Sequence, residues 1–187
     1  MHHQDQKFER IDLKKTPLEK GEFEICTFTS CDFSSGNLSD FKFIECEFQE
    51  CNLSLALLHG TAFRNVIFKE CKMMGLQFEN CNDFGLSFLF ENCQLSHSNF
   101  FQMNIKKSTF KNCVLQEIDF SESNLTSVIF DYCDLSQSIF KNCILDKADF
   151  RTAFNYSLDP QENSLKKTRF SSTALQGLLD QYDLIID

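Results

Sequence analysis

The sequence predicts an all-β solenoid: a quadrilateral parallel β-helix with 20 residues per coil, ending in a short C-terminal helix and strand. Three observations predict it. First, Phe-x-x-Cys recurs in one series of six, Phe28/Cys31, Phe48/Cys51, Phe68/Cys71, Phe90/Cys93, Phe110/Cys113 and Phe130/Cys133. The copies lie 20 residues apart except across Phe68 to Phe90, where the gap is 22. Second, a five-residue period runs beneath this one. Every fifth residue from Phe8 to Phe78, and again from Phe90 to Phe150, is apolar, which makes 28 positions. At 42% apolar residues, chance produces such a run about once in 10¹⁰ trials per frame, so the period marks a repeat architecture. Third, a period of five matches neither a helix nor a strand. It suits a coil that turns a corner every five residues.

The number of sides follows from packing. Interiors pack to crystal-like density, so stacked side chains should match in size. After the break Phe and Leu or Ile alternate strictly: Phe90, Leu95, Phe100, Ile105, Phe110. Three sides would stack each residue on the one 15 later and set Phe on Leu. Four sides stack it on the one 20 later and set Phe on Phe, up to Phe150. Two residues before each centre the side chain is usually small or apolar, as at Cys26, Cys46, Ser98, Ser123, Val128 and Ala148. Rungs ~4.8 Å apart give about seven coils and a rod roughly 35 Å long.

The elements follow in order. Residues 1–20 are expected to cap the first coil, and residues 21–156 to form the β-helix. Its register break at 79–89 must release two residues as a loop, with Asn82, Asp83, Phe84 and Gly85 at the tip; Asp83 falls where an apolar centre is due. Residues 157–187 form the tail. Asp159-Pro160 with Glu162 reads as a helix start, and Ser171 or Ser172 as a second. Leu175, Leu178, Leu179 and Tyr182 share one helical face, and Leu184, Ile185 and Ile186 read as a strand.

Composition excludes several functions. A net charge of −9 disfavours direct nucleic-acid binding, which needs Lys and Arg for phosphate neutralisation. It suits the basic groove of another protein. The acids concentrate early: residues 1–50 hold 11 against 6 bases. No run has membrane-spanning length and residues 1–20 lack a signal-peptide core, so a cytoplasmic location is expected. The ten cysteines all stand two residues before a pentapeptide slot. Adjacent thiols in such a file are too far apart for disulfide Cβ separations, and a single file cannot surround a tetrahedral ion. They read as small buried hydrophobes, Cys31, Cys51, Cys71, Cys93, Cys113 and Cys133 among them. His2, His3, His59 and His97 show no ligand spacing and read as solvated corner residues. No triad or phosphate loop is visible. A packed coil offers no pocket to shift a catalytic pKa, so no enzyme and no cofactor are expected.

Tandem small-x-[Leu/Phe]-x-x units resemble the pentapeptide-repeat family over residues 8–150, which implies a right-handed coil. The tail is similar to the dimerisation segment of Qnr-type quinolone-resistance and microcin-immunity proteins. This resemblance implies a homodimer through Leu175, Leu178, Leu179, Tyr182, Leu184, Ile185 and Ile186. It further implies a DNA-mimicking protein that binds DNA gyrase or topoisomerase IV and protects it from quinolones or a peptide toxin. The loop and surface carboxylates would make that contact. The chain has one short interruption where the better-known Qnr proteins carry two longer loops. The alternative is an interaction scaffold with an unrelated protein partner.

Overall fold

The structure is a computed structural model and describes residues 1–182, 184 and 185. The chain winds into a four-sided parallel solenoid whose rungs repeat every 20 residues. Strands β1 (His2–Gln4), β3 (Glu22–Glu24), β5 (Lys42–Ile44) and β7 (Ala62–Arg64) form the first face. Strands β2 (Lys7–Glu9), β4 (Thr27–Thr29), β6 (Glu47–Gln49), β8 (Val66–Lys69), β9 (Phe88–Glu91), β10 (Thr109–Lys111) and β11 (Ile129–Asp131) form the second. The third and fourth faces are ladders of single bridges, such as Asp12↔Asp32↔Asn52↔Lys72 and Asn99↔Asp119↔Ile139. The offset is 20 along Phe8↔Phe28↔Phe48↔Phe68 and 22 at Phe68↔Phe90. It returns to 20 at Phe90↔Phe110↔Phe130.

The side-chain files follow from this register. Phe8, Phe28, Phe48, Phe68, Phe90 and Phe110 stack ring over ring at 4.7–5.3 Å with interplanar angles of 11–20°. Phe130, Phe150 and Phe170 continue the file. A second Phe file changes sides at the break. Below it, Phe23, Phe43 and Phe63 line the first face. From the residue just before it upward, Phe78, Phe100, Phe120 and Phe140 line the fourth. Leu and Ile fill the vacated positions, so each coil keeps a similar volume.

The corners account for the scarcity of glycine. At most corners the residue two after the centre takes φ between +50° and +63° in non-glycine positions, from Asp5 to Lys167, including the β-branched Ile25 at 56°; Lys15, Lys20, Asn80 and Thr152 do not. Where the residue two before a centre carries a polar hydrogen, it satisfies the backbone that the corner strands. Thr61 Oγ1 donates to Leu38 O, Ser98 Oγ to Met73 O and Thr168 Oγ1 to Leu145 O, at 2.7–2.9 Å. Cys51, Cys71 and Cys133 thiols do the same to Phe28 O, Phe48 O and Phe110 O at 3.3–3.4 Å. The same side chains accept from below: Leu76 N donates to Ser98 Oγ, and Met103 N to Ser123 Oγ, each at 3.1 Å. Cys, Ser and Thr at this position gain from that pairing, since an unpaired buried backbone group is costly.

The coil reaches further than residues 21–156. At its start β1 and β2 pair within the two sheets, so residues 1–20 make a coil of their own. His3 occupies a centre slot and stacks on the Phe23 ring at 4.6 Å, which corrects its reading as a solvated corner. At the far end Ile144↔Ser164 and Asp149↔Arg169 add another rung. The helix expected at Asp159 is instead a turn, in which Asp159 Oδ1 accepts from Gln161 N at 2.7 Å. An Asp-Pro pair starts a turn as readily as a helix. The later start holds: Ser171 Oγ caps a kinked 3-10 helix, Ser172–Leu178, and a second runs over Asp180–Tyr182. Leu184 and Ile185 are not in a strand, and Ile186 lies outside the described residues.

Candidate interaction surface

Side chains fill the interior, so any function falls to the outer skin, to the register break and to the two ends. At the break the lower register persists as far as Asn82, whose N–H donates to Thr61 O as Ala62 N–H donates to Phe41 O. The upper register starts at Val66↔Phe88. The extra residues therefore leave the ladder between Asn82 and Phe88. Asn82 Oδ1 accepts from Phe84 N at 3.1 Å and tightens the turn. Gly85 supplies a φ of +72°, open to glycine without strain. Asn82, Asp83, Phe84 and Gly85 are all exposed and lie together.

Phe84 is 70% exposed. The Arg64 guanidinium sits 5.0 Å from its ring centre, a cation–π distance. Arg64 Nε is buried without a hydrogen-bond partner among the described residues. Phenylalanine and arginine are both among the residues enriched at protein interfaces. Sequence reasoning missed Arg64, because nothing in its spacing ties it to the loop.

At the loop's base, Glu79 Oε1 accepts from Asn99 Nδ2 at 3.2 Å, whereas Oε2 is buried without a partner among the described residues. Burial raises the Glu79 carboxyl above its ordinary pKa, and nearby Asp119 adds to the effect. Cys81 is half-buried beside it, and burial pushes its thiol up. Elsewhere burial pushes Cys46 up to about 12 and Cys143 to about 11. These thiols stay protonated at neutral pH. All ten cysteines are unpaired, as their spacing requires. Among the described residues no cluster of His, Cys, Asp or Glu could hold a metal ion.

The third and fourth faces above the break, with the corner leading into them, carry Glu91, Glu117, Asp119, Glu122, Asp131 and Asp134. Burial opposes ionisation of Asp134, but hydrogen bonds from Ser136, Asn155 and Gln116 hold its carboxyl below the usual range. Glu91 is paired with Lys111 at 2.8 Å, and the remaining acids of this flank outnumber its bases.

The tail folds over the last coil. Leu158 N donates to Gly177 O at 2.9 Å and Tyr156 Oη to Ala174 O at 2.6 Å. A Cβ on Gly177 would lie 2.0 Å from Tyr156 O, so the close approach needs glycine. Leu178 packs on the core and Leu179 is half-buried. Leu175, Tyr182, Leu184 and Ile185 are 43%, 49%, 57% and 92% exposed. The proposed dimer residues thus divide into an inner pair that caps the coil and an outer set that remains free. Ile186, the last of them, lies outside the described residues.

Comparison with known proteins gives the context. Residues 46–82 match the family description "Pentapeptide repeats (8 copies)" and residues 86–170 match "Pentapeptide repeat region". No curated protein matches the chain. Among solved structures the chain is similar to full-length QnrB1, a plasmid-mediated fluoroquinolone resistance protein, with a TM-score of 0.56 and 17% identity. That likeness covers 98% of this chain and 100% of QnrB1. A trypsin-treated QnrB1 variant gives a TM-score of 0.51 at 19% identity, covering 100% of this chain and 98% of that one.

Proposed function

Because the chain belongs to the pentapeptide-repeat family, we propose that it is a non-enzymatic rod that binds a type II topoisomerase, DNA gyrase or topoisomerase IV. Binding would protect that enzyme from quinolones or a peptide toxin. The observation that carries this reading is the likeness to QnrB1 over the full length of both chains, end segments included. The acidic flank supports it. Its carboxylates repeat along a straight rod and suit a basic groove made for DNA. Phe84 supplies an apolar anchor in an otherwise polar contact, with Arg64 behind it. The free apolar set on the tail, Leu175, Tyr182, Leu184 and Ile185, supports a homodimer through the C-terminal end, since exposed apolar patches mark contact surfaces.

Mechanistically, the rod competes with duplex DNA for the groove, so its affinity falls as salt rises. The test is a gyrase supercoiling assay in ciprofloxacin, titrated with the protein. Rescue of supercoiling is expected. Absence of binding to both enzymes at low ionic strength would end this reading.

A further inference from the structure

Above the break the rod carries opposite charge on opposite flanks. The first-face ladder sets Asn104, Asn124, Ile144 and Ser164 in one file. Corner bonds from Lys107 N to Thr126 O, Ser127 N to Asp146 O and Lys147 N to Lys166 O lead round to the second face. Along this edge Lys106, Lys107, Lys147, Lys166, Lys167 and Arg169 are exposed. Among the described residues none of the five lysines forms an ion pair. The two acids of the edge are occupied. Asp146 Oδ1 accepts from Ser164 Oγ at 2.7 Å and Lys166 N at 3.0 Å, and Asp149 holds Arg151 and Arg169. The acidic flank lies across the rod.

A second copy does not suit this edge. A two-fold contact through it sets lysine against lysine. A contact between this edge and a neighbour's acidic flank is head-to-tail, which builds rings or filaments rather than a closed pair. The fitting anion is therefore foreign. Lys107, Lys147 and Lys167 lie in one straight file about 14 Å long, the reach of about four base-pair steps along one strand. Between them Asn124, Thr126 and Ser127 are neutral side chains of the type that contacts phosphate oxygens. The edge has no aromatic side chain on which an unpaired base could stack, which favours duplex over single strand.

We propose that this lysine edge docks the phosphate backbone of duplex DNA without regard to sequence. The net charge of −9 disfavours binding by the rod as a whole, but the edge acts through its local field, where Asp146 and Asp149 are outnumbered by the five lysines and Arg169. The proposal is independent of the topoisomerase reading. The test is fluorescence anisotropy of a labelled 20-base-pair duplex with the full chain across a salt series. Binding at low salt is expected, with log K falling against log salt at a slope of about −3 to −5. Replacing all five lysines by Gln should weaken low-salt binding by at least about tenfold. Lys141→Gln, on the opposite flank, should leave it unchanged. Unaltered urea midpoints establish that the variants fold, and Lys147→Glu alone provides a milder second variant with a loss of at least about threefold. Four outcomes overturn the proposal: no duplex binding at low salt, equal binding by the five-lysine variant, tighter binding to single strand, or equal competition by polyglutamate of matched charge.

Discussion

The ring of Phe88 lies 5.9 Å from that of Phe63, across the coil from which the loop departs. Phe63 is the last phenylalanine of the first-face file, and Asp83 stands where the next centre would fall. Phe88 stands two residues before a centre, where its file otherwise holds Cys26, Cys46, Val66, Ser108 and Val128. It also meets Phe78 at 5.6 Å and Phe90 at 5.2 Å, and is 3% exposed. One oversized residue thus fills the volume that the loop removes and lets the stack continue.

Phe88→Ala should destabilise the protein by about 3–5 kcal/mol, as should Phe110→Ala in the middle of the main file, because neither space can collapse between fixed rungs. Urea melts measure both. A near-neutral Phe88→Ala would show that the loop coil is not plugged by this ring.

Ile25→Asn should raise stability by about 1 kcal/mol, since a β-branched residue at φ 56° bears a left-handed penalty that Asn largely escapes. The exposed Ile25 side chain has little packing to lose. An unchanged or lower urea midpoint would contradict the corner geometry.

The native protein should not react with a thiol reagent on the minute scale, whereas denaturing alkylation should count ten free thiols. Burial in the coil keeps the reagent from the thiols, and at Cys46, Cys81 and Cys143 it also opposes the reactive thiolate. Fewer than ten modified residues would reveal a disulfide.

Acid should weaken the fold. Asp149, held by Arg151 below the ordinary carboxylate value, and Asp134, held by its hydrogen bonds, contribute stability that is present above about pH 4 and is lost as pH falls through their folded values. Glu79 has the opposite sign. Its raised pKa gives a contribution that is present at low pH and lost as pH rises through the folded value. Glu79→Gln should therefore gain on the wild type between pH 4 and pH 7 in paired urea melts. A pH-independent difference would place no burial strain on Glu79.

The repeat was legible because each centre obeys one rule from Phe8 to Phe150, and the loop because Asp83 breaks it. The coil's extension to Phe170 was hidden by Pro160, which takes a centre slot and carries a local helix-start signal. His3 was hidden by its polarity, although it lies 20 residues before Phe23. Phe88 was readable as an oversized residue in a file of small ones. Arg64 was not, because its contact with Phe84 depends on how the loop folds back. The period of 20 from Lys147 to Lys167 was present in the sequence, but net charge averages over flanks and concealed the edge.

Hydrogen–deuterium exchange of the protein with and without DNA gyrase tests the central claim most directly, that the outer skin and its one loop make the contact. Slowed exchange at Phe84 and Gly85 and along the Glu117–Glu122 corner of the acidic flank is the predicted result. A gyrase complex that leaves both segments exchanging as in the free protein would contradict it.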